Sequence, residues 1–197
     1  MTLFEYQRLA MRTSPDDGHN RVKNGCMGLI GECGELMDVL KKWMYQSGDN
    51  PRFPADRVID ECGDILWYCA ELTYGLAIPL HIADHYKEPH PEYFAYLTIE
   101  SVVAQLSFVV ATIYRLQNFD GMSVDGPGAV LGWRSVTTTK RIANVIGIVE
   151  SILRRCGSDL SDAMRRNIDK LAARYPEGFD PARSMAREAV DAPPWEV

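Results

Sequence analysis

Glu32-Cys33-Gly34-Glu35 and Glu61-Cys62-Gly63-Asp64 each set two acids three residues apart, with the same Cys-Gly between them. Both stretches carry helical periodicity, so each acid pair shares one helix face with its Cβ atoms roughly 5–6 Å apart. Packing the two helices together would crowd four carboxylates. Two like charges 4 Å apart cost about 4 kcal/mol at an effective dielectric near 20. A divalent cation bound by oxygen would turn that repulsion into affinity, and an all-oxygen ligand set suits Mg²⁺, or Mn²⁺, better than zinc or iron. A di-iron bundle needs Glu-x-x-His pairs, and neither stretch contains a histidine. The four histidines (His19, His81, His85, His90) show no HExxH spacing and read as surface or loop residues.

The elements that must position these acids are amphipathic helices. Periodicity predicts helices over 3–12, 24–45 and 54–74, separated by the breakers Ser14-Pro15-Asp16-Asp17-Gly18 and Ser47-Gly48-Asp49-Asn50-Pro51. The second carries the apolar stripe Cys26, Leu29, Ile30, Cys33, Leu36, Met37, Leu40, Trp43, Met44, and the third carries Val58, Ile59, Cys62, Ile65, Leu66, Cys69, Leu72. At about 100° per residue, Glu32 and Glu35 lie roughly 90° and 150° from the centre of their stripe. Glu61 and Asp64 lie roughly 85° and 145° from theirs in the same sense. Acids on a helix flank are ordinarily a solvated face. The glycine inside each pair argues for more, since mid-helix glycine costs about 1 kcal/mol relative to alanine and signals close backbone approach. Gly28, Gly31 and Gly34 at spacing three would let a neighbour come near beside the acids.

The segment GLIGECGELMDVLKKWMYQ followed by RVIDECGDILWYCAEL resembles the ExxE…ExxD signature of MazG-like all-α nucleoside triphosphate pyrophosphohydrolases. The resemblance implies an all-α helical bundle in which Glu32, Glu35, Glu61 and Asp64 hold Mg²⁺. It further implies a nucleoside triphosphate substrate, hydrolysed to a monophosphate and pyrophosphate. All-α dUTPases and phosphoribosyl-ATP pyrophosphohydrolases are similar in the same pattern, so the motif names a chemistry better than a substrate. Glu35 is the candidate base. The stretch from Asn167 to Phe179 resembles the N-x-x-K-L-x-x-R-Y-P-x-G-F tail of a subset of that superfamily. Asn167, Lys170 and Arg174 share a helix face within about 60° and suit phosphate oxygens, arginine as a fork and lysine as a point charge. Lys42, on the same side of its helix as Glu35, is a further phosphate candidate. Trp43, Trp67 and Tyr68 are candidates to stack on a base, with core or interface packing as the alternative.

Residues 88–140 have no counterpart in a compact MazG-like domain and read as an inserted helical hairpin. A helix is predicted over 93–117, a glycine-rich loop over GMSVDGPGAVLGW follows it, and a helix over 138–156 carries the chain past the end of the insertion. The loop lacks the Gly-Lys-Ser/Thr of a phosphate-binding Walker motif. Setting SVVAQL under GECGEL, and RIANVIGIVE under RVIDECGDIL, suggests a degenerate second repeat. In it Val102, Gln105, Val145 and Ile148 stand where the four acids stand. An unrelated insertion is the alternative.

The 197 residues suit a single domain, and a net charge of −6 argues against a generally basic nucleic-acid surface. No run of about 20 apolar residues and no signal-peptide core is evident, so a cytoplasmic protein with no membrane partner is expected. Relatives of this kind usually assemble, so a homodimer or higher homo-oligomer is expected too. Five cysteines with no CxxC spacing read as core filling. The competing functional class is a non-catalytic helical binding or assembly protein.

Overall fold

The computed structural model describes residues 1–15, 21–49, 51–86, 94, 96–118 and 126–184, with the side chains of 118 and 126–134 excepted. Six α-helices occupy these residues: α1 (Leu3–Ala10), α2 (Arg21–Gln46), α3 (Ala55–Gly75), α4 (Ile99–Asn118), α5 (Gly126–Arg155) and α6 (Leu160–Arg174). Short 3₁₀ turns follow α1 and α3, at Met11–Thr13 and Leu80–Tyr86. Among the described residues there is no strand, so the expected all-α bundle is the fold.

Local chemistry sets the helix ends. Thr2 and Glu5 form a capping box that starts α1. The Asp159 carboxylate caps α6 by accepting from the Asp162 N–H at 2.8 Å. Helix α3 begins directly after Pro54, whose fixed φ suits a helix start.

Helices α2 and α3 run antiparallel: Gly25 lies against Leu72, Gly28 against Tyr68, and Glu32 near Asp64. Helix α4 packs on α2, α5 packs on α4 and α3, and α6 lies across α3. Their stripes form one continuous core, including Leu29, Leu36, Leu40, Ile65, Leu66 and Leu106, all fully buried. Each such side chain contributes about 1.5–3 kcal/mol relative to exposure. The stripe expected on α3 is buried in full. On α2 the expectation fails at Ile30 and Met44, which are exposed, while Val39 is buried in their stead.

The segment expected as a glycine-rich loop is corrected in part, because residues 126–133 belong to the first turns of α5; residues 121–125 lie outside the described residues. Pro127 is tolerated in a first helical turn, where its missing N–H removes no helix bond. The tightly packed stretch from Ile142 to Leu153 anchors the rest of α5. Helix α4 starts at Ile99, later than expected, with Leu97 and Thr98 outside it.

Taken singly, α4 is the one described helix long and apolar enough to cross a membrane by length and composition. Here Val102, Val103, Leu106, Val110 and Ile113 are its buried stripe in the bundle, while Phe108 is largely exposed. The positions aligned with Glu32, Glu61 and Asp64 in the suggested second repeat, Val102, Val145 and Ile148, are core residues, and Gln105 is exposed. Among its described residues, that hairpin presents no counterpart of the acidic cluster.

Cys26, Cys33, Cys62 and Cys69 are buried free thiols, as core filling requires, and Cys156 is half-buried. Burial pushes the Cys26 thiol up to about 11 and that of Cys33 to about 12. His81 departs from its surface expectation: it is half-buried edge-on against Phe4, with ring centroids 5.7 Å apart.

Candidate metal centre

Antiparallel pairing of α2 with α3 brings the acid pairs face to face in the order their spacing dictates. Glu32, Glu61 and Asp64 each offer a carboxylate oxygen within 4.8 Å of the others, and all three are half-buried. Glu35 is not in that cluster. It is exposed and lines the adjoining cleft together with Glu32 and Asp64. Three of the four expected ligands therefore converge, and the fourth stands at the solvent side, close enough to raise its neighbours' proton affinity.

The electrostatics show the cost of this arrangement. Burial first, then the charges of Asp64, Glu35 and Glu61, push the Glu32 carboxyl up to about 8. Burial, then Glu35 and Asp64, raises Glu61 to about 7, with Lys170 and Arg57 pulling the other way. Crowded like charges out of water favour the neutral acid, and a divalent cation among them would reverse that preference. The donor set is all oxygen, which matches a hard cation.

Two residues of α6 close the site on α3. Lys170 Nζ lies 2.6 and 2.5 Å from the two carboxylate oxygens of Asp64. Asn167, 3% exposed, donates from Nδ2 to Asp64 Oδ1 at 2.8 Å. Its own Oδ1 accepts from the Tyr6 hydroxyl at 2.9 Å, and that hydroxyl also reaches the Gly63 carbonyl at 3.2 Å. A Cβ on Gly63 would sit 3.1 Å from the Asn167 Cβ and 3.3 Å from the Ala163 carbonyl. The glycine of the second acid pair is thus where α6 touches α3. The glycine of the first pair has no such role: Gly34 and Gly31 meet nothing within 4 Å. The close approach expected beside the acids of α2 occurs earlier, at Gly25 and Gly28.

Beside the triad opens a cleft of about 390 Å³. Arg174 lines it, as does an aromatic set formed by Trp67 and Tyr68 on α3 with Tyr175 and Phe179 after α6. The Trp67 and Tyr68 rings meet edge to face, with centroids 4.9 Å apart. Tyr68 also lies on Gly28, where a Cβ would fall 2.1 Å from its ring. Tyr175 and Phe179 are in ring contact at 5.7 Å, and the Phe179 N–H donates to the Arg12 carbonyl at 3.3 Å, which anchors the tail.

Of the expected phosphate-binding residues, Asn167, Lys170 and Arg174 reach the site or its cleft. Lys42 does not: it pairs with Asp38 at 2.6 Å, one helical turn back along its own helix. Trp43 is likewise elsewhere, packed edge-on against Phe53 with its Nε1–H on the Pro51 carbonyl. Tyr6 and Asn24 entered the site unheralded by any motif spacing, whereas Tyr175 and Phe179 belong to the Asn167–Phe179 tail motif, whose spacing marks them without placing them on a cleft. Only the burial of a polar-tipped Tyr6 opposite a helical glycine could have pointed to the first of them. In comparisons with known proteins, the chain matches no family model, no curated protein and no solved structure.

Proposed function

We propose that this chain is a divalent-metal-dependent nucleoside triphosphate pyrophosphohydrolase of the MazG-like kind, converting a (d)NTP to (d)NMP and pyrophosphate. The observation that carries this reading is the convergence of Glu32, Glu61 and Asp64 within 4.8 Å beside a cleft with a cationic and an aromatic lining. Glu32, Glu61 and Asp64 would hold Mg²⁺ or Mn²⁺, which when bound supplies Lewis-acid neutralisation of the phosphate oxygens.

Glu35, outside the triad and open to the cleft, keeps its carboxylate for water. It accepts a proton as the water oxygen bonds to phosphorus, the bond to the α–β bridging oxygen breaks, and pyrophosphate departs. Arg174 offers its guanidinium fork to the phosphate oxygens. Lys170, mobile at the end of its four-carbon stem, turns from Asp64 to the charge developing on the leaving group. Asn167 and Tyr6 keep Asp64 oriented throughout.

The test is pyrophosphate release from a panel of ribo- and deoxynucleoside triphosphates, with and without Mg²⁺. Release that needs Mg²⁺ and falls at least 100-fold in Glu35→Gln and Asp64→Asn is expected. No release from any nucleotide, together with no Mg²⁺-dependent thermal shift, sinks the proposal.

A further inference from the structure

Resting on the nucleotide reading above, we infer that the cleft carries a nucleobase subsite whose edge-reading residue is Asn24, an amide held in one orientation by the buried carboxylate of Glu71. Glu71 is fully buried on α3. Asn24 donates from Nδ2 to Glu71 Oε2 at 2.7 Å, and the Ser14 hydroxyl donates to Oε1 at 3.0 Å while accepting from Arg21 Nε at 3.2 Å. A carboxylate only accepts hydrogen bonds. The Asn24 amide must therefore turn its nitrogen to Glu71, which directs Oδ1, an acceptor, elsewhere. Asn24 is exposed and lines the same cleft as the carboxylates.

Spacing along the helices makes this the far part of one ligand. Asn24 lies eight residues before Glu32 on α2, and Glu71 seven after Asp64 on α3. At 1.5 Å per residue both steps are about 11–12 Å. Such a span leaves room for a sugar and a base beyond the phosphate nearest the acids. On α3, Trp67 and Tyr68 fall between the levels of Asp64 and Glu71, and Tyr175 and Phe179, which follow α6, line the same cleft. Aromatic rings accept the face of any base, so stacking alone would not choose among bases. A fixed acceptor at the edge does choose: it takes a base N–H or exocyclic amino group and leaves a ring nitrogen acceptor unsatisfied.

The experiment uses uncharged ligands, so that metal and phosphates play no part. Adenosine, guanosine, cytidine, uridine and their deoxy forms, with methyl β-D-riboside as the base-free control, are titrated in EDTA against the full chain. Ligand-observed NMR follows binding to the wild type, Asn24→Ala and Asn24→Ser, well below their unfolding midpoints. The expected result is binding of at least one nucleoside but not of the riboside. In both variants the preferred base weakens by about fivefold, one hydrogen bond's worth, and the others by less than twofold. Equal affinity of wild type and both variants across the panel overturns the inference, as does riboside binding as tight as the best nucleoside.

The two readings fail separately. Nucleoside binding sensitive to Asn24, without pyrophosphate release from any triphosphate, keeps the subsite and removes the hydrolase. Mg²⁺-dependent release with a base preference unchanged in Asn24→Ala does the reverse.

Discussion

Replacing Glu32 by glutamine should stabilise the metal-free protein, by an amount that grows with pH. In the folded chain the Glu32 carboxyl is held at about 8 rather than 4.5, by burial and by Asp64, Glu35 and Glu61, with Lys170 opposing. Each pKa unit is worth about 1.4 kcal/mol, so ionising Glu32 in the folded state costs at most about 5 kcal/mol. Removing one charge also relieves its crowded neighbours, so about 2 kcal/mol is the expected gain. For the sign, below pH 4.5 the group is protonated in both folded and unfolded chains, and the favourable neutral form is fully retained. As pH rises from 4.5 through about 8 the unfolded chain releases the proton first, and that stability is lost. Glutamine has no such dependence. Thermal unfolding in EDTA should give matching midpoints for wild type and Glu32→Gln near pH 4.5. By pH 8.5 the variant should be higher by about 4–8 °C, at roughly 2–4 °C per kcal/mol for a chain of this size. Saturating Mg²⁺ should invert the order, since a ligand at 100 times its Kd adds about 2.7 kcal/mol and the variant has lost a ligand. A variant-minus-wild-type difference that stays flat from pH 4.5 to 8.5 in EDTA would mean that the folded chain does not hold Glu32 in its neutral form.

Lys170→Met removes the ammonium 2.5 Å from Asp64. Calorimetric Mg²⁺ affinity should rise severalfold, because the ion no longer displaces a competitor, while the metal-free protein loses about 1 kcal/mol; weaker Mg²⁺ binding would contradict this. Gly25→Ala drives a Cβ to 2.9 Å from Leu72 Cβ and 3.0 Å from its backbone, and urea unfolding should show a loss of about 1–3 kcal/mol. Gly34→Ala, facing open space, should gain about 0.5–1 kcal/mol in the same assay, and the opposite ordering of the two would discredit the packing of α2 on α3. Asn167→Ala deprives Tyr6 and Asp64 of their shared partner. It should cost about 1–3 kcal/mol, whereas an unchanged urea midpoint would mean the buried network is not formed.

Acid spacing was the most legible feature of the site. Glu-x-x-Glu and Glu-x-x-Asp on amphipathic helices specify two acids on one face whatever the partner, because 3.6 residues per turn fixes their bearing from the apolar stripe. That bearing placed Glu32, Glu61 and Asp64 at the α2–α3 seam, where they converge. Lys42 shows where the same logic fails. Its bearing is right, but Asp38 one turn away captures it first, and a local pair on one helix forms without waiting for a neighbour.

The repeated glycines were legible as a departure from helix preference, though not in their purpose. Gly63 admits α6 and Gly28 admits the Tyr68 ring, yet Gly34 admits nothing, since approach depends on which helix crosses at that level. The helical state of residues 126–133 was hidden because local glycine and proline content opposes a helix, although these residues continue α5 from its buried part without a break.

Period and side-chain polarity alone set the helical class, the stripes that bury α2 and α3, and the pairing of acids on their flanks. Which acid stays outside the cluster, the placing of Lys170 and Asn167 against Asp64, and the meeting of Asn24 with Glu71 across 47 residues are fixed only once the helices pack. Those outcomes are set by crossing geometry and by competition for hydrogen-bond partners between segments distant in the chain, and no single helix carries that information.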